Sequence, residues 1–412
     1  MAKRHTHEIF TRDFVVLATI NLALFFGFQM VNLGMPIYAA QLGADSFTVG
    51  IIASIFTITA TLVRVFAGAI LDTFGRIGTL ISGIALMAAM VVAYAIFPII
   101  GVIIGLRVIH GLGWGLGSTA TSTIAADIIP KKRFAEGMGY FAMTTAIAGA
   151  VAPALSIYLV QGPGALYMLG VSASLTILAL LLSLADAKHL GKRSNPHMNA
   201  PDAASAPRAG APNPTPTSKL DTFFERRAFL PSIAMLLVNI GFGTITTFIA
   251  LHAAEQGVPE IAWYFVVYAI TTVVSRPFIG KIIDRHGYRG PSVFATLCTA
   301  ATLVLIGVSN SLPLFCAAGA LGGLGIGSAM GTFQAMAVAT VEPQRRGVAT
   351  STYFVFFDLG IAIGSFVAGI IAGAVGYTAM FVIMAIFPVL ACVFFVLAGK
   401  ERLASTRPNA ES

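Results

Sequence analysis

Residues 64–75 read RVFAGAILDTFG and residues 276–287 read RPFIGKIIDRHG. At one offset of 212, Arg64 matches Arg276, Phe66 matches Phe278, Gly68 matches Gly280, Asp72 matches Asp284 and Gly75 matches Gly287. Further along, Pro130, Tyr140 and Phe141 match Pro343, Tyr353 and Phe354 at an offset of 213. A period of about half the chain means a duplicated unit, and each copy should be able to form the same structure.

The surroundings of the two copies say what that unit is. Of 412 residues, 57% are hydrophobic and only 10% charged, against roughly 45–50% and 25% in soluble domains. A soluble single-core fold is excluded. Apolar runs of the length a bilayer requires, about 20 residues, occur near 14–36, 47–71, 79–97, 101–126, 137–159, 166–185, 229–251, 260–280, 292–308, 313–340, 347–373 and 377–398. The expected fold is an all-α membrane protein with twelve transmembrane helices in two pseudo-symmetric six-helix bundles. The expected domains are 1–185, a flexible linker at 186–228, 229–398, and a tail at 399–412. The linker carries Pro201, Pro207, Pro212, Pro214 and Pro216 among small polar residues, a composition that cannot bury a core. No cleavable signal peptide is expected, because the start MAKRHTHEIFTRD runs directly into a full-length span.

Charge sets the orientation. Of the 25 Lys and Arg, 22 fall in the tails and in loops on one side, and the other three, Arg64, Arg107 and Arg276, sit inside spans. The positive-inside rule then puts both termini in the cytoplasm of a multi-pass protein of the cell membrane, inner or plasma. Topology accounts for the net charge of +8, so no nucleic-acid partner is implied. Cys298, Cys316 and Cys392 have no metal or disulfide spacing, and the tail pair His5 and His7 makes no metal site. No metal and no cofactor are expected. The run GLGWGLG at 111–117 imitates a dinucleotide loop but follows no strand, so close helix packing is the better reading.

The stretch GAILDTFGR at 68–76, with its degenerate copy GKIIDRHGY at 280–288, resembles the signature of the major facilitator superfamily between its second and third helices. The likeness covers nearly the whole chain outside tails and linker, and within that superfamily it points to the proton-coupled efflux branch. The resemblance implies a cytoplasmic gate in which Asp72, Arg76 and Asp127 form a charge network latching the two halves, with Gly68, Gly75 and the copy Gly280, Asp284 and Gly287. The alternative for Arg76 and Asp127 is topology and capping. Tyr288 stands where the second copy should carry a base, so its latch departs from the pattern.

By the same resemblance, Arg107 in RVIHGLGWGLG matches the intramembrane arginine of the fourth helix, for coupling or substrate. Its cost in hydrocarbon requires a cavity, a carboxylate or carbonyls around it, and a structural hydrogen-bonding role fits equally. Helix 5, GMGYFAMTTAIAGAVAPALS at 137–156, resembles the exporter-associated motif through Gly149 and Pro153, although Ala152 and Ser156 depart from it. Asp358 in FFDLGIAIGSFVAG, 356–369, is the one carboxylate placed well inside a span. It is read either as a group that binds a proton or a cationic substrate, or as the ion-pair partner of Arg64.

Gln29, Asn32, Trp114, Asn239 and Gln334 are candidates for the cavity lining, with interhelical hydrogen bonding as the competing reading. His110 is read as the only His in a span, either a buried hydrogen-bonding group or a proton relay. No enzyme is expected, because no catalytic constellation is present, and no phosphate-binding loop signals an ATP-driven pump. The expected function is that of a monomeric secondary active transporter in the lipid bilayer, a proton-coupled antiporter exporting a small molecule such as a drug, metallophore, sugar or amphipathic metabolite. An uptake symporter or uniporter is the alternative, and an intramembrane enzyme or receptor the remote one.

Overall fold

The computed structural model describes residues 9–130, 133–194, 224–339, 341 and 345–402, and among these the chain is helix and turn with no strand. His5, His7, most of the linker (195–223) and most of the tail (403–412) lie outside the described residues, as do the side chains of Asp72 and Asp284.

The first six long helices are α1 (Arg12–Gln41), α2 (Ser46–Phe74), α3 (Arg76–Ile96), α4 (Ile100–Ile128), α5 (Phe134–Gln161) and α6 (Ala165–Ala185). A short helix, Ala187–Ser194, follows, and a 3-10 turn, Arg226–Ala228, opens the second series. That series begins with α7 (Phe229–Glu255), α8 (Ala262–His286), α9 (Arg289–Val308) and α10 (Leu312–Ala339). The last apolar run, Val348–Leu397, is 50 residues long, about 75 Å if straight and more than twice a hydrocarbon core of about 30 Å. It must cross twice. The break is Gly376, at φ 80° and ψ 168°, a left-handed conformation that only glycine adopts without cost. We call the parts of Arg346–Met384 and Ile386–Arg402 before and after this residue α11 and α12.

Turn chemistry bounds the helices. Asp45 accepts from the Thr48 N–H at 2.9 Å and so caps α2, and the Thr48 hydrogen bonds hold its carboxyl below the ordinary value. The repeat ends identically in both copies, with Gly75 at φ 76° and Gly287 at φ 75°. The signature's last glycine is therefore the residue that reverses the chain between one helix and the next.

The chain divides into two compact units. The first holds Met1–Gly34 and Thr59–Thr217, the second Met35–Ile58 and Ser218–Ser412. In the first, α3 packs on α4 and α6, and a Cβ at Gly83 would meet the Gly117 nitrogen at 2.5 Å and the Gly113 carbonyl at 2.9 Å. In the second, α7 packs on α11 and α12, and α10 is backed by both α8 and α9. The α7–α11 contact is backbone on backbone: Gly360 lies against the Leu236 carbonyl, Gly364 against the Ile240 carbonyl and Gly243 against Ile361. Lipid tails are as apolar as the side chains, so close approach and its dispersion energy hold these helices together.

Within the second unit the start of α2 runs along α11. Ser46 donates to the Tyr377 hydroxyl at 3.1 Å, the Phe47 and Phe366 rings are 5.9 Å apart, and a Cβ at Gly50 would stand 3.1 Å from the Gly369 Cα.

The Gly364→Val variant, which pushes a branched side chain into the Ile240 carbonyl, should destabilise by about 1–3 kcal/mol. A lower melting temperature in detergent is the readout. Gly280→Ala, with open space around the new methyl, should melt close to wild type.

Candidate transport site

In the first unit α5 lies along α1. Asn21 Nδ2 donates to Thr144 Oγ1 at 2.7 Å, Gly149 has Gln29 Nε2 as its nearest neighbour at 3.6 Å from an added Cβ, and Ser156 Oγ donates to the Met30 carbonyl at 2.6 Å. Gly149 is thus where α5 passes the candidate Gln29, and Pro153 sits within the helix one turn on. The second unit repeats this arrangement on α7 and α11. Asn239 Nδ2 donates to the Phe357 carbonyl at 3.0 Å, and Thr247 and Ser365 hydroxyls meet at 2.9 Å. Phe357 corresponds to Thr144 at the repeat offset of 213, so each half ties its first helix to its fifth through an asparagine. Sequence reading singled out Asn239 and missed Asn21, and the repeat gives no help, because at its offset Asn21 aligns with Ala234 rather than with Asn239.

Trp114 is 5% exposed, stacked on Phe28 of α1 with ring centroids 3.7 Å apart and met edge-on by Phe25 at 4.6 Å. Gln29, Asn32 and Gln334 are half-buried, and Asn239 is fully buried. Trp114 is thus a buried aromatic joint between α1 and α4.

Arg107 has no exposed surface. Its guanidinium faces the Tyr94 hydroxyl, and that hydroxyl lies 3.2 Å from His110 Nδ1. The three form one buried cluster between α3 and α4. The sequence predicted Arg107 and His110 but not Tyr94, because an isolated tyrosine in an apolar run carries no signal. Arg64, half-buried on α2, donates to Ser118 Oγ at 3.3 Å, and Ser118 in turn bonds the Trp114 carbonyl at 2.6 Å. Asp358 is 9% exposed on α11, next to the Phe357 carbonyl that Asn239 engages.

His110 is not the only intramembrane histidine. The span of α7 runs from Arg226 to Glu255, which brings His252 inside it, fully buried. Its Nε2 lies 3.1 Å from the Ile306 carbonyl, and the rings of Phe315, Tyr377 and Phe381 surround it at 5.4–6.4 Å. The polar end of the α7 sequence hides this position from a hydropathy window; neighbouring helices supply the apolar environment.

At the other end of the helices, Arg76 Nη1 pairs with Asp127 Oδ2, both partly buried. The second unit carries an ion pair of different origin, which the sequence did not signal: Arg345 Nε engages Glu225 Oε2, and the Glu225 N–H donates to Thr352 Oγ1 at 3.0 Å. Arg12 pairs with Asp186 at 2.9 Å. Gly75 and Gly287 form the turns already described, and Gly280 lies in open space.

The repeated long apolar helices, with polar groups along α1 and α4 in one unit and along α7 and α11 in the other, are those of a polytopic membrane protein. The sequence profile of the Major Facilitator Superfamily matches residues 17–262 and again 232–412. The chain belongs to the Major Facilitator Superfamily, and it is a multi-pass membrane transporter of small molecules rather than an enzyme. It is 22% identical over 375 residues to the Staphylopine export protein of Staphylococcus aureus, covering 90% of this chain and 92% of that one. It is 26% identical over 364 residues to an uncharacterized MFS-type transporter of Burkholderia mallei, covering 84% and 82%. Among solved structures, a bacterial homologue of the human lysosomal transporter Spinster superposes with a TM-score of 0.78 at 15% identity, covering 97% of this chain and 98% of the other, which shows the shared fold.

Tyr94→Phe removes the hydroxyl that faces both Arg107 and His110, and should cost about 1–3 kcal/mol. Thermal unfolding in detergent measures it, and an unchanged midpoint would mean that the hydroxyl contributes nothing to the cluster.

Proposed function

We propose that this transporter is a proton-coupled antiporter that exports a small organic molecule across the cell membrane, working as a monomer with both termini in the cytoplasm. The observation that carries the reading is Asp358, a carboxylate 9% exposed on α11 at the point where α11 is tied to α7. A buried carboxylate binds a proton readily, and exchange of that proton against substrate couples the two fluxes. With about 100 mV across the membrane, each charge moved supplies about 2.3 kcal/mol, roughly a fiftyfold concentration ratio. Export is supported by the likeness to a protein named for staphylopine export and by Gly149 and Pro153 where α5 passes α1. Metallophores, drugs, sugars and amphipathic metabolites are the candidate substrates.

The halves that rock are 1–185 and 229–398, joined by the linker at 186–228. The pair Arg76–Asp127, with Asp72 beside it in sequence, latches the cytoplasmic end. The contacts of Ser46, Phe47 and Gly50 with Tyr377, Phe366 and Gly369 close the outer end. Alternating access exchanges one closure for the other around a midplane cavity. Arg107, held with Tyr94 and His110 away from solvent, keeps α3 and α4 as one rigid piece during that motion.

In liposomes of known orientation with an interior pH dye, substrate added against an imposed proton gradient should drive protons in the opposite direction. Proton movement along with substrate would establish symport instead. Asp358→Asn should abolish gradient-driven transport while leaving substrate–substrate exchange, and unchanged active transport would remove Asp358 from the mechanism. Cross-linking a Phe47→Cys/Phe366→Cys pair with a short thiol reagent should stop turnover, and full activity after complete cross-linking would show that this contact does not open.

A further inference from the structure

The second half of α8, the start of α9 and Leu324 of α10 line a groove of about 590 Å³. One wall is Ile270, Val274, Phe278 and Ile282, spaced at every fourth residue on a single face of α8; Phe294 of α9 stands opposite and Leu324 of α10 forms the floor. The two hydroxyls in the lining spend their hydrogen bonds on their own helix, Thr271 on the Val267 carbonyl and Ser275 on the Thr272 carbonyl. The groove therefore offers a solute almost nothing polar along its length.

Its end has the opposite character. The lining closes with His286 and Gly290, and the residues adjoining them are Arg285 and Arg289, with Lys281 one turn before. All four of Lys281, Arg285, His286 and Arg289 are exposed. Across 276–289 four Lys and Arg stand against one acid, Asp284. A long apolar trough ending in exposed cations is complementary to an amphiphile with an acyl chain and an anionic head.

We propose that this groove binds an anionic phospholipid of the bilayer, its chain along Val274, Phe278 and Ile282 and its phosphate among Lys281, Arg285 and Arg289. Basic pockets between transmembrane helices on the cytoplasmic side recognise such headgroups, and each Lys or Arg near the surface contributes about a fivefold preference. The placement in the inner leaflet rests on the topology proposed above; the binding itself does not depend on the direction or coupling of transport. Because α8 and α9 are joined by the Gly287 turn, the lipid would brace the ends of both helices.

Native mass spectrometry tests this without transport. Protein released from detergent micelles containing phosphatidylglycerol and a tenfold excess of phosphatidylcholine should retain one phosphatidylglycerol at activation energies that strip phosphatidylcholine. The triple variant Lys281→Gln, Arg285→Gln, Arg289→Gln should lose that preference by tenfold or more while melting like wild type, since all three side chains are exposed. Val274→Trp, at a position 57% exposed, should fill the trough and lower retention of both lipids with the charges intact. Equal retention of the two lipids by wild type, a preference that survives the triple variant, or retention unchanged by Val274→Trp overturns the proposal.

Discussion

In hydrocarbon no water is available to satisfy a backbone amide or carbonyl, so every crossing of this chain must be a closed helix and every deviation must be shielded or turned outward. That constraint leaves the helices with little to attract them to one another except proximity. The architecture answers with bare backbone: Gly83 against Gly113 and Gly117 in one unit, and Gly360 and Gly364 against the carbonyls of α7 in the other. A single methyl at such a place pushes the helices apart and forfeits a large part of the dispersion energy between them. The high glycine content, 42 residues, is in this sense the adhesive of the fold rather than a source of flexibility.

The same constraint governs the polar side chains. Each must find a partner within the protein, and the partners are shared between helices that are remote in sequence: Asn21 with Thr144, Asn239 with the Phe357 carbonyl, Arg64 with Ser118, Tyr94 with His110. Such bonds tie a first helix to a fifth and a third to a fourth while the apolar surface faces outward. Duplication gave both halves a tie between first and fifth helices, and each half otherwise has its own chemistry. The first half keeps a buried arginine cluster, whereas the second keeps Asp358 and His252.

The ion pairs at the helix ends serve a different purpose. Arg76 with Asp127, Arg345 with Glu225 and Arg12 with Asp186 are partly solvated pairs, each of modest energy. Weak pairs suit a gate, because a conformational cycle requires contacts that break and reform with thermal energy and a small ligand contribution. The proposed lipid site at the basic end of α8 and α9 would put headgroup charge beside the Gly287 turn.

Much was legible from the chain alone. Apolar length specifies each crossing, the charge bias specifies a side, and a repeat with a glycine at its end specifies the reversal that Gly75 and Gly287 both make. The crossings and the reversal follow from local chemistry, where the solvent dictates the answer, while the side the charge bias points to belongs to the proposed topology. The partners of buried groups were not legible. Tyr94 joins Arg107, Asn21 reaches α5, His252 falls inside a span, and residues 35–58 pack with the second unit, because each depends on the rotation of one helix about its axis relative to another. Hydrophobic periodicity fixes which residues avoid water, but in a bilayer both faces of a helix may be apolar, and only tertiary packing decides which of them meets protein and which meets lipid.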